Sequence, residues 1–382
     1  MLSCAEEKEA TDLLQNILRC NTTNPPGNEA VLAEKIRKWL AGEEIICQID
    51  EIELNRANII FEIKGATEGP KLLVTGHLDT VPPGNCPWQH DPFGAEIEDG
   101  LIYGRGASDM KGSVAAMLYA IARMKRKGII PKQNIVFLGT AGEEMFCQGA
   151  LHFVDKNGME KIGAVLVGEP SNGDLLLAHK GAAWLEVNTY GKTAHGSMPD
   201  LGVNAVMSMN AFLNALVGQS FQVEPHPLLG LPTISVNKID GGVAINVVPD
   251  SCTCKIDIRT IPGQTEEDVR KLIDKAMAEA AKSCPELKAD YKFLCSLPSV
   301  GCIPNDKIID CALECADREL VQKGVNYFTD ASALIGKRQM PLIIYGPGDD
   351  KQAHQPDENL SMAKYFEAIE FYEKFLTEYS IK

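Results

Sequence analysis

Apolar and polar positions follow two periods along this chain. The first is that of a helix. Leu13, Leu14, Ile17 and Leu18 share one side of residues 5–20, and Val31, Leu32, Ile36 and Leu40 share one side of a second segment. The turn Asn24-Pro25-Pro26-Gly27-Asn28 separates them. Residues 44–50 and 57–64 then read as strands, followed by the apolar run Lys71–Thr75. The stretch Val81–Gly100 is dense in Pro, Gly, Asn and Asp and too long for a simple connection, which marks a functional loop. Ser113–Lys127 is predicted helical, with small residues Ala115, Ala116 and Ala120 on a face that permits close packing. Asn134–Thr140 and Ala164–Val167 are buried strands, and a helix begins at Gly149 between them. Three apolar strands thus end in His77, Glu143/Glu144 and Glu169. Ligand sites in open α/β sheets form at the carboxyl ends of strands.

The pattern changes near Gly181. Residues 183–190 alternate like a half-exposed strand, and a helix follows through Val203–Leu216. Strands near 232–240 and 252–259, a helix near 265–281 and a strand near 289–294 complete a βαββαβ order. That order is ferredoxin-like, and it reads as a second domain (182–294) inserted into the first (1–181 and 295–382). Its antiparallel strands could pair edge to edge with another copy. After 295 the pattern predicts a helix near 306–318, a polar loop Tyr327–Ser332, a strand Pro341–Tyr345 and a final helix.

Charge narrows the function. Of 382 residues, 45% are hydrophobic and 23% charged, with a net charge of −15 and a pI near 5.0. No positive field exists to draw a nucleic-acid backbone or an anionic membrane. No apolar run reaches the roughly 18 residues of a membrane span. Glu6, Glu7 and Glu9 make the N-terminus unlike a signal peptide. The twelve cysteines are scattered. Cys252/Cys254 on a strand and Cys311/Cys315 on a helix lack matching partners at zinc-finger spacing, so reduced thiols in a cytoplasmic protein are expected.

His77, Asp109, Glu144, Glu169 and His354 form a candidate ligand set at strand ends or in glycine-flanked loops. Two histidines and three carboxylates suit two divalent ions of the zinc, cobalt or manganese type, one aspartate bridging. Other motifs fail. Gly191-Lys192-Thr193 has Glu186 where a phosphate loop needs glycine, and Gly104-Arg105-Gly106 has Asp109 where a dinucleotide fingerprint needs its third glycine.

Gly76-His77-Leu78-Asp79-Thr80-Val81-Pro82, Tyr103-Gly104-Arg105-Gly106 through Asp109-Met110-Lys111-Gly112, Gly142-Glu143-Glu144, Gly168-Glu169-Pro170 and Ala194-His195-Gly196-Ser197 together resemble the M20 metallohydrolases. The nearest branch is that of acetylornithine deacetylases and succinyl-diaminopimelate desuccinylases, with carboxypeptidase G2 and aminoacylase 1 more distant. The resemblance spans nearly the whole chain. It implies an α/β fold, a zinc-exopeptidase-like three-layer αβα catalytic domain with an inserted ferredoxin-like α+β lid and dimerisation domain.

For the site, it implies that Asp109 bridges two metal ions, most often zinc. His77 and Glu169 would complete one ion's shell, and Glu144 and His354 the other's. Asp79 would hydrogen-bond the His77 ring, and the Asp109–Met110 peptide would be cis. Glu143 would be general base and acid. His195 would reach a partner subunit's site as an oxyanion stabiliser, while Arg259 would hold the substrate carboxylate and Asn246 would also reach the substrate. The implied activity is hydrolysis of an N-acyl amino acid by a cytoplasmic homodimer in amino-acid biosynthesis. Dipeptidase or carboxypeptidase action on small peptides is the alternative, and a catalytically silent metal-binding homologue the non-enzymatic one. Lys180, Arg105 and Arg338 are candidate cations for an acyl carboxylate. Thr329-Asp330-Ala331-Ser332 departs from the Gly-rich loop of the better-known desuccinylases.

Overall fold

The structure is a computed structural model that describes residues 1–381 except 305, 337 and 339. The chain divides into two compact units. The first comprises Met1–Leu177, Gly301–Gly324 and Thr329–Lys382, the second Ala178–Val300 and Val325–Phe328. The second is a few residues wider than 182–294. It takes in 325–328, where the Val325 carbonyl accepts the Lys180 N–H at 3.1 Å.

In the first unit a mixed sheet runs in the order Gln48–Glu53, Arg56–Ile63, Gln133–Thr140, Thr67–His77, Ile162–Val167, Leu342–Ile344. The last four are mutually parallel, and the first two form an antiparallel hairpin on their edge. Parallel strands covered on both faces need apolar residues at successive positions. Gln133–Thr140 accordingly is buried along its whole length. Register decides where the chemistry converges. His77 lies opposite Thr140 and Thr75 opposite Val167, so the chain leaves all three strands at one end of the sheet.

Helix Cys4–Leu18 is held by a capping box between Ser3 and Glu6, and buries Leu13, Leu14, Ile17 and Leu18. In helix Glu29–Gly42 the apolar side is narrower than its spacing predicts: Leu32, Ile36 and Leu40 are buried, but Val31 is 48% exposed. Helix Lys111–Arg126 is buried from Lys111 through Met124 and packs on Met362–Glu378. Small residues permit its close approach. A Cβ on Gly112 would stand 2.3 Å from the Ala107 carbonyl oxygen.

Some elements differ from the sequence-based expectation. The strand expected over 44–50 begins at Gln48, because Glu44 adopts φ +55° and the helix end turns there. The long loop contains strand Glu96–Glu98, which pairs with Leu101–Tyr103 and through it with Asn359–Ser361. Strand Leu175–His179 joins the main sheet through Leu176 opposite Ile344, and helix Ala331–Ile335 replaces part of the polar loop.

The second unit pairs four antiparallel strands in the order Thr233–Gly241, Ser251–Thr260, Gly181–Tyr190, Lys288–Leu297. Helices Ala205–Val217 and Glu266–Ser283 bury Met209, Phe212 and Ile273 against Leu185, Val187, Cys254 and Ile256. Asn204 caps the first helix and a Thr265–Asp268 box caps the second. Cys252 and Cys254 both face this core, and all twelve cysteines are free thiols.

Candidate metal centre

The centre lies wholly in the first unit, at the carboxyl ends of its parallel strands. Strand Thr67–His77 delivers His77, which is buried; the chain beyond Thr140 delivers Glu143 and Glu144; the chain beyond Val167 delivers Glu169. Asp109 precedes helix Lys111–Arg126 across a cis Asp109–Met110 peptide, and His354 follows strand Leu342–Ile344.

The Asp109 carboxylate spans the two histidines. Its Oδ1 is 2.9 Å from His77 Nε2 and its Oδ2 is 3.4 Å from His354 Nε2. Glu169 Oε1 lies 4.0 Å from His77 Nε2, and Glu144 Oε1 3.2 Å from His354 Nε2. His77–Asp109–Glu169 and Asp109–Glu144–His354 each offer ligand atoms within 4.8 Å of one another.

Burial is the first cause that raises the pKa of Glu143, Glu144 and Glu169, and nearby negative charges add to it. Asp330 is likewise pushed up by burial, to about 6. Burial opposes charge on His77, but Asp109, Asp79 and Glu169 together raise its pKa well above the imidazole range. His354 is raised to about 10 by Asp109 and Glu144. Carboxylates crowded around paired histidines are the donor set of hard-to-borderline divalent ions, whose binding displaces such protons. His77, Glu169, Asp109, Glu144 and His354 therefore fit two ions sharing Asp109. The Glu143 carboxylate has no hydrogen-bond or ion-pair partner among the described residues.

Asp79 is buried against both the His77 ring and the Glu143–Glu144 turn. His77 Nδ1 stands 3.0 Å from the Asp79 backbone oxygen and 3.5 Å from its carboxylate. The same carboxylate also accepts the N–H groups of Glu143 at 3.1 Å and Glu144 at 3.3 Å, and the Asn24 amide at 2.9 Å. Asp79 thus ties the Glu143–Glu144 turn to the His77 ring. Of the candidate cations, Arg105 is buried and bound to Glu358 at 2.5 Å. Lys180 is buried and donates to the Leu231 carbonyl at 2.7 Å, and Arg338 is exposed.

His195, Asn246 and Arg259 belong to the second unit. Gly196 donates its N–H to the Asn246 carbonyl at 2.7 Å, and His195 bridges to Val247, so His195 and Asn246 share one local structure. His195 Nδ1 lies 2.8 Å from Ser197 Oγ. Arg259 donates through Nε and Nη2 to Asp257 at 2.8 and 3.1 Å and stands 5.9 Å from the Phe328 ring centroid.

Two histidines and three carboxylates thus converge as a donor set for divalent ions. Residues 73–378 match the model of Peptidase family M20/M25/M40, the chain belongs to that family, and the match makes it a metal-dependent hydrolase. It is 27% identical over 408 residues to a probable succinyl-diaminopimelate desuccinylase of Staphylococcus epidermidis, covering 99% of each chain. It is 35% identical over 294 residues to an acetylornithine deacetylase of Buchnera aphidicola, covering 76% of this chain and 75% of that one. Among solved structures, the Bacillus subtilis YXEP protein, described as a dinuclear metal binding peptidase of the M20 family, superposes with a TM-score of 0.76 at 17% identity, covering 98% of both chains.

Proposed function

We propose that this protein removes an N-acyl group, of the acetyl or succinyl type, from an amino acid that keeps a free α-carboxylate. The observation that carries this reading is the Asp109 carboxylate spanning His77 and His354, with the buried Glu143, whose carboxylate has no partner among the described residues, near His77, Glu144 and Glu169. His77, Glu169, Asp109, Glu144 and His354 would hold two divalent ions, with zinc the first choice and cobalt or manganese alternatives. When bound, such ions polarise an amide carbonyl and acidify water. Glu143 takes the proton from water and returns it to the leaving amine. Asp79 fixes the turn that aims Glu143. Arg259, a planar donor suited to a carboxylate, would hold the substrate carboxylate, and Asn246 would supply a further polar contact. The free thiols favour a reducing, cytoplasmic compartment.

The desuccinylase and deacetylase relatives support the deacylase, and the likeness to the YXEP peptidase supports a peptidase as the second reading. A substrate panel on metal-quantified protein separates them. Acetylornithine or succinyl-diaminopimelate is expected to turn over, dipeptides are not, and chelation is expected to abolish turnover together with bound metal. Dipeptide hydrolysis without deacylation would replace the first reading by the second.

His195 is proposed to act in the site of a second copy, stabilising the developing oxyanion. Edge strand Thr233–Gly241 and the apolar tips Val243, 80% exposed, and Ile245, fully exposed beside Asn246, favour such an assembly. Mixing His195→Ala and Glu143→Ala proteins, each inactive alone, is expected to restore roughly a quarter of wild-type sites if the pairing is two-fold and random. Mixed dimers that form and remain inactive would rule out action in trans.

A further inference from the structure

The segment that ends in Asp109 is gripped by one buried side chain, Glu358, four residues beyond His354. Glu358 is fully buried. Its Oε1 accepts the N–H groups of Gly106 at 3.1 Å, Ser108 at 2.9 Å and Asp109 at 2.9 Å, and its Oε2 accepts Arg105 Nη1 at 2.5 Å. The backbone joins in. Gly104 donates to the Glu358 carbonyl at 2.9 Å, Ser108 Oγ donates to the Asn359 carbonyl at 2.8 Å, and Ser108 Oγ accepts the Asp349 N–H at 3.1 Å. Strand Asn359–Ser361 meanwhile pairs with Leu101–Tyr103. Convergence of three amides and a guanidinium on one carboxylate costs little only if the turn is already folded around it, since buried amides without acceptors are expensive.

We infer that Glu358 is the positioning residue of the metal centre. It fixes the Arg105–Asp109 turn, and so aims the Asp109 carboxylate between His77 and the His354 segment of which Glu358 is itself a part. The inference rests on the reading of Asp109 as the shared ligand. It assigns Glu358 no contact with substrate. Removing its charge leaves every proposed ligand in the chain but loosens the one that both ions share. Groups behind metal ligands commonly carry about 10–100-fold of metal affinity.

The test uses the full chain stripped of metal and titrated with Co²⁺ against a chromophoric chelator, with the cobalt d–d absorption recorded. Wild type is expected to bind two ions. Glu358→Gln, which keeps the shape and removes the charge, is expected to bind about 10–100-fold more weakly with an altered d–d spectrum. Leu14→Ala, a buried position in the N-terminal helix, serves as a destabilised control and is expected to keep both the affinity and the spectrum. A folded Glu358→Gln protein with wild-type affinity and spectrum would overturn the inference while leaving the metal centre intact. Failure of wild type to bind cobalt would overturn both. If Glu358→Gln does not fold, Arg105→Lys is read in the same way. It retains the positive charge but loses the planar fork, and weaker binding with a changed spectrum is expected; unchanged binding and spectrum overturn the inference.

Discussion

Glu143→Gln is expected to bind its divalent ions as wild type does and to lose at least about 10²–10⁴-fold in kcat, the range for removing a general base. The expectation comes from what Glu143 does not touch. Its backbone is fixed by Asp79, while its carboxylate has no hydrogen-bond or ion-pair partner among the described residues. Glu144, one residue on, is turned to His354 at 3.2 Å. Two adjacent carboxylates thus face different tasks, and the amide of glutamine fills the same space without being able to accept a proton. KM is expected to change little, because the loss falls on the reacting step. Metal content measured on the same sample separates this role from that of a ligand. A variant with full metal and unchanged turnover removes Glu143 from the mechanism; one that loses metal makes it a ligand.

The site was legible where local pattern and chemistry coincide. His77 and Glu169 close apolar runs, and a strand that ends in a titratable side chain announces itself within a few residues. The ferredoxin-like order was equally readable, because each of its elements has its own period. Glu358 was not readable. Its acceptor role exists only because Gly106, Ser108 and Asp109 present N–H groups to it from some 250 positions away. In sequence it is one acidic residue among several after His354. Asp330 hid in a polar loop for the same reason, since its partner is the Thr140 hydroxyl at the end of a distant strand. Arg105 misled in the opposite sense. An arginine in a glycine-rich stretch reads as a free cation, and only burial against Glu358 shows its charge to be spent inside the fold. Periodicity reports which face is apolar; it carries no information on which buried charges meet.

Glu29→Ala is expected to cost about 3–5 kcal/mol of stability, the range for breaking one side of a buried ion pair. Glu29 opens helix Glu29–Gly42, where an acidic residue is ordinarily a solvent-facing complement to the helix dipole. Here it is fully buried. Its Oε1 accepts Arg56 Nη2 at 2.8 Å and the Gly142 N–H at 3.2 Å, and its Oε2 accepts Arg56 Nε at 3.3 Å. Arg56, itself buried, donates through Nη1 to Gln148 at 2.7 Å and to the exposed Glu53 at 3.3 Å. Gly142 completes the knot: at φ +69°, a Cβ there would stand 2.5 Å from Arg56 Nη2. The variant leaves a guanidinium buried beside a cavity and the Gly142 amide without its acceptor. Glu29→Met with Arg56→Leu is expected to recover most of the loss, because the penalty lies in a buried guanidinium left with only the exposed Glu53 rather than in the pair's absence. Urea unfolding of the two variants decides. A loss below about 1 kcal/mol in Glu29→Ala would mean that the pair is screened as a surface bridge is. Because Gly142 immediately precedes Glu143, the single variant is also expected to lower kcat under conditions where it remains folded. The same buried pair then supports both the fold and the aim of the base.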